Sequence, residues 1–165
     1  LPWPQALRGS VELGQGNTMA AADHLEQAFA RACQLGDPCW EGMAARGLAL
    51  VADAAGDVDE AFALLDDARM RCNRVTDPYV WLDAHILDAQ CELGVRHAHP
   101  QTRSWIAELQ ALASRTAMRE MTVLALLHAA ADGDADAAAG AALLAAGIEN
   151  PLLQDRMARG LQLAR

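Results

Sequence analysis

The feature that most constrains this chain is an internal repeat. An offset of 40 residues brings Gly16 onto Gly56, Ala21 onto Ala61, Leu25 onto Leu65, Ala28 onto Ala68, and Asp37-Pro38 onto Asp77-Pro78; one residue of slip then pairs Trp40 with Trp81. A unit of this size is one supersecondary piece that cannot bury its apolar face alone, so successive units must stack. Each matched position has a local role. Asp37 and Asp77 are placed to accept backbone N–H bonds as N-caps, and Pro38 and Pro78 occupy the first helical position, where no N–H is needed. Asn150-Pro151 repeats that start signal near the C-terminus.

Between the Asp-Pro starts, Gly56-Asp57-Val58-Asp59-Glu60-Ala61 reads as a turn glycine followed by a helix with an Asp57 cap and a capping-box Glu60. Ala61, Leu64, Leu65 and Ala68 then fall at the spacing of an amphipathic helix, with Arg69, Arg71 and Arg74 late, where they complement the helix dipole. Caps and breakers predict helices at 3–14, 18–34, 38–54, 58–73, 78–93, 100–114, 117–131, 135–146 and 151–164. The expected fold class is all-α: a right-handed α-α superhelix of about four helical hairpins plus a terminal helix, forming a single domain over 1–165. In the last helix Leu153, Met157, Leu161 and Ala164 form one stripe, which either caps the array or packs on a further unit. The start at Leu1, with a helix-like segment already under way, suggests a piece of a longer protein.

Composition agrees with helix and narrows function. Aromatic residues are 4% of the chain, all 13 basic residues are Arg, and Ala inflates the 53% hydrophobic fraction, as high-GC bacterial coding sequence imposes. A net charge of −9 opposes a phosphate backbone, so no direct nucleic-acid partner is expected. No apolar run approaches the ~20 residues that span a bilayer and no signal pattern opens the chain, so a soluble, cytoplasmic location without membrane contact is expected. The 4 cysteines form no CxxC pair and read as small buried hydrophobes. There is no GxxxxGK[ST] loop and no Lys to complete one, which excludes a phosphate-loop nucleotidase.

The run GDVDEAFALLDDA, through Gly56, Asp57, Glu60, Ala61, Leu65 and Ala68, resembles the second half of a tetratricopeptide (TPR) repeat. The unit is longer than that family's, and the usual first-helix aromatic and repeat-end proline are not at their places. Repeats three and four keep mainly Gly94, Gly133 and the apolar spacing. Long, Ala- and Arg-rich repeats of this kind are similar to the C-terminal sensor region of LuxR/MalT-type bacterial transcriptional regulators, which are signal-transduction ATPases. That resemblance implies a non-catalytic module that binds a protein partner or small-molecule inducer and relays its presence to other domains of the parent chain, with no cofactor.

In such an array the first helix of each hairpin lines a concave face, so the candidate ligand or partner contacts are Trp40, Met43, Arg46 and Asp53 on 38–54 and Trp81, Asp83, His85 and Asp88 on 78–93. The opposing reading is packing: Trp40 and Trp81 recur with the repeat, as anchors between hairpins would, and Arg46 with Asp53 or Asp88 reads as a salt bridge. His97 and His99 bracket a turn without further ligands, and His85, Asp88 and Cys91 drift around their helix, so no metal site is expected. Ser10, Ser104 and Ser114 have no partnering His, so no catalytic residue is assigned. Two other readings stay open: a small-molecule pocket lined by Trp40, Trp81 and Cys91, and an assembly element that builds a homo-oligomer through apolar surface.

Overall fold

In the computed structural model, the backbone is described for residues 1–163 and side chains for residues 1–159. Among the described residues 81% are helical and none is in a strand. The helices are α1 (Pro2–Gly14), α2 (Thr18–Leu35), α3 (Pro38–Ala55), α4 (Val58–Asn73), α5 (Val80–Arg96), α6 (Thr102–Thr116), α7 (Arg119–Ala131), α8 (Ala137–Ala145) and α9 (Pro151–Leu163). No described helix is long and apolar enough to cross a membrane. The chain divides into two compact units, Leu1–Ala89 and Gln90–Arg165, and the division falls within α5.

The first unit is built on the repeat. The loops after α1 and α3 are short, which makes α1 with α2 and α3 with α4 adjacent, oppositely running pairs. Gly16 and Gly56 take left-handed φ values of 82° and 87° in those turns, a conformation that a Cβ disfavours. α2 buries Ala21, Leu25, Ala28 and Ala32, and α4 buries Ala61, Leu65, Ala68 and Cys72. The two rows share one spacing, which places them on a single helix face. Small side chains in these rows let helices approach closely. Gly9 of α1 and Gly47 of α3 both face Leu25: a Cβ on Gly9 would lie 2.6 Å from Leu25 Cγ, and one on Gly47 would intrude on the Leu25 methyls. Leu25 is thus held in a notch made by two glycines. Ala6, Ala28 and Ala44 form a cluster of their own, flanked by Phe29 and Met43.

The caps divide by position. Asp37 accepts from the N–H groups of Cys39 and Trp40, Asp57 from that of Glu60, and Asn150 from those of Leu152 and Leu153, as expected. At Asp77-Pro78 the expectation needs correction. α5 starts at Val80, and Asp83 N–H donates to the Tyr79 carbonyl, so Tyr79 holds the place before the first turn and Asp77 is exposed in the connection.

In the second unit α7 packs on α6, α8 and α9. It buries Met121, Val123, Leu124, Ala125, Leu127 and Ala129, apolar on most sides, as a helix surrounded by others must be. Gly94 is not a turn residue. It sits inside α5, where a Cβ would lie 2.6 Å from Thr102 Oγ1 and 3.3 Å from the Trp105 ring, so it marks a close crossing with α6. α9 packs on α7 and α8, with Leu153 and Met157 buried; Ala164 lies outside the described residues and Leu161 outside the described side chains.

Candidate functional site

Of the eight candidate contact residues only Asp83 and Asp88 are buried, and four of the other six, Trp40, Arg46, Trp81 and His85, make side-chain contacts on α3 and the first half of α5 that bear on a ligand surface. Trp40 is half-buried and its ring lies 6.4 Å from that of Trp3. Arg46 is half-buried and its Nε donates to the His85 carbonyl at 2.8 Å, which ties α3 to α5. Trp81 is 39% exposed and meets the His85 imidazole edge-on at 6.1 Å. Arg46, Trp81 and His85 therefore form one partly open surface that combines an indole, an imidazole and a guanidinium.

The other four are placed differently. Met43 packs beside the Ala6, Ala28 and Ala44 cluster. Asp53 is half-buried near the end of α3, where its carbonyl accepts from Gly56 N–H. Asp88 is buried at 1% exposure. Asp83, also buried, accepts from Arg69 Nε at 2.9 Å and from Asn73 Nδ2 at 3.0 Å, so its carboxylate is turned to α4 and away from an open groove.

Asp83 belongs to a polar cluster absent from the candidate list. Glu41, whose side chain is 3% exposed, accepts from Arg71 at 2.7 Å and pairs with Arg74 at 2.9 Å. Arg71 also pairs with Asp67 at 2.6 Å and lies 4.9 Å over the Phe29 ring. Its ionisation is pushed further above the ordinary range, chiefly by the Asp67 hydrogen bond, with burial opposing and Glu41 adding. The cluster joins α3, α4 and α5 and satisfies carboxylates that burial would otherwise penalise. One signal was available: Glu41 and Asp83 are each the fourth residue of their helix, and both meet arginines from the end of α4.

Burial pushes the Cys39 thiol up to about 11, with Asp37 adding, and the Cys72 thiol up to about 12, with Asp83 adding. Both stay protonated at neutral pH and are poor nucleophiles. His99 stacks on Trp105 at 4.7 Å, and its Nδ1 accepts from Gln101 N–H, so it shapes the turn before α6. Among the described residues no group of three or more His, Cys, Asp and Glu is placed to hold a metal ion.

The second unit contains an open depression of about 360 Å³ lined by Arg103, Ile106, Ala107, Gln110, Ala129 and residues 132–134. Arg103 pairs with Asp132 across its rim at 2.9 Å. Its lining does not include Trp40, Trp81 or Cys91. Comparison with protein-family models, with curated proteins and with solved structures gave no match.

Proposed function

We propose that the chain is a TPR-like helical-repeat module, an array of hairpins in a right-handed superhelix, that binds a protein partner or small-molecule inducer without catalysis in a bacterial multidomain regulator. The observation that carries the reading is the surface of Arg46, Trp81 and His85, where first helices of successive units place aromatic and cationic groups side by side. Partly exposed Trp and Arg are the residue types that dominate binding energy at interfaces. The matched buried rows on α2 and α4, Ala21, Leu25, Ala28 and Ala32 beside Ala61, Leu65, Ala68 and Cys72, support the repeat.

A fluorescent peptide library scanned by polarisation tests this. Hits are expected to lose at least about tenfold in affinity on Trp81→Ala and none on Met70→Ala, an exposed α4 control. Hits indifferent to Trp81 would sink the groove reading, and hydrolytic turnover lost on a single polar substitution would sink the non-catalytic one. The pocket reading draws on one observation, the depression on α6, whose volume lies at the small end of ligand sites. Binding there would fail on Arg103→Ala and survive Trp81→Ala.

A further inference from the structure

The depression on α6 sets groups of both signs around an apolar floor. Ile106 and Ala107 of α6 and Ala129 of α7 supply the floor, and Arg103, Gln110, Asp132 and Asp134 the polar edge. The Arg103–Asp132 pair joins Nε to Oδ2 at 2.9 Å, and the arginine side chain stays 86% exposed. Its two terminal amino groups and the second oxygen of Asp132 are thereby left for a ligand. Asp134 accepts from Asp136 N–H through Oδ1, which leaves its Oδ2. Gly133, between the two aspartates, has a φ of 105° with nothing within 4 Å of where a Cβ would stand, so the turn puts no side chain over the opening.

Charge and size decide which ligand fits. Two carboxylates stand beside one guanidinium on a chain of net charge −9, so a free anion is disfavoured. A simple amine would answer the carboxylates and leave unused the planar donors of Arg103, whose natural complement is a carboxylate. An α-amino acid answers both. Its ammonium has three donors for Asp132 and Asp134, its carboxylate accepts from the terminal amino groups of Arg103, and an apolar side chain covers the floor. Half-buried Gln110 adds an amide that can serve either charged group. The volume of about 360 Å³ lies at the small end of ligand sites, which suits a molecule of this size and not a nucleotide. We propose that the depression binds the zwitterion of an apolar α-amino acid. The inference rests on the pocket reading and is independent of the Arg46 surface, which lies in the first unit.

Titration of the intact protein with L-leucine, followed by backbone amide NMR, tests the proposal. Saturable shifts are expected at Ala107, Gln110 and Gly133, with affinity at least about tenfold lower in Arg103→Gln and in Asp134→Asn and unchanged in Trp81→Ala. Arg103 and Asp134 are exposed, so both variants should fold, and their own amide spectra report it. L-leucinamide, which lacks the carboxylate, and 4-methylpentanoate, which lacks the ammonium, are each expected to bind at least about tenfold more weakly than L-leucine. If either binds as well and shifts the same amides, the zwitterion inference falls while the pocket reading stands. Leucine binding indifferent to Arg103→Gln or to Asp134→Asn also overturns the inference. If none of the three compounds gives a saturable shift at these amides, the inference and the pocket reading fall together.

Discussion

Leu25 is fully buried and faces two glycines, Gly9 and Gly47, at positions where a Cβ would meet its side chain. Gly9→Ala therefore sets two effects against each other. Alanine gains about 1 kcal/mol of helix propensity, while overpacking in a closed core costs about 1–3 kcal/mol. Overpacking should win, because the new Cβ meets Leu25 Cγ at 2.6 Å and the Ala21 carbonyl at 3.1 Å, both on neighbouring α2. A lower urea midpoint is expected. Leu25→Ala alone should cost about 3 kcal/mol, and the double variant should lose clearly less than the sum, because shortening Leu25 removes the clash with the new Cβ and that Cβ fills part of the cavity. Strict additivity in the cycle would show that the notch is not where strain arises. Neither glycine stands out in the sequence as a packing residue, since a helical glycine and a fortuitous one look alike until the partner helix is in place.

At the scale of the element, start signals differ in what they accomplish. Asp37 and Asp77 sit in the same dipeptide, yet Asp37 accepts two backbone N–H bonds while α5 begins beyond Asp77. Asp37→Ala is expected to cost about 1 kcal/mol and Asp77→Ala less than about 0.5 kcal/mol, read from urea unfolding monitored by circular dichroism. Equal costs would mean that Asp77 caps α5 in solution. The helix pattern itself was legible: α4 spans the range expected from Asp57, and the bounds of α2 and α3 are matched to within one residue. α5 was not, because its start is set by packing of Leu82, Asp83 and Ile86 on neighbouring helices and not by its nearest proline. The Arg cluster at the end of α4 was read as a dipole effect; Glu41 and Asp83 make it an inter-helix network as well.

At the scale of the whole molecule, the thiols report on folding. Cys33 is exposed whereas Cys39, Cys72 and Cys91 are buried. A thiol-specific chromophore at pH 8 should thus react rapidly with one thiol per native chain and with all 4 in denaturant. Cys39 and Cys72 are held above the ordinary value of 9.0, so the folded chain keeps protons that the unfolded chain loses. Their contribution is fully present below pH 9 and is lost as pH rises through about 11 and about 12. The urea midpoint should fall over that alkaline window, and less steeply in a Cys39→Ala, Cys72→Ala variant. An equal slope in that variant would assign the loss to other groups.

The sequence by itself determined the all-helical class, the period of the first two units, and most helix ends, because these follow from local spacing and from groups that bond within their own turn. Tertiary structure alone decided what each face meets. It turned Asp83 and Asp88 inward, set Arg46 on the His85 carbonyl, and closed two glycines on Leu25. The physical reason is that period and caps fix a helix and its apolar side, whereas the neighbour on that side comes from distant chain, through contacts that no local pattern encodes.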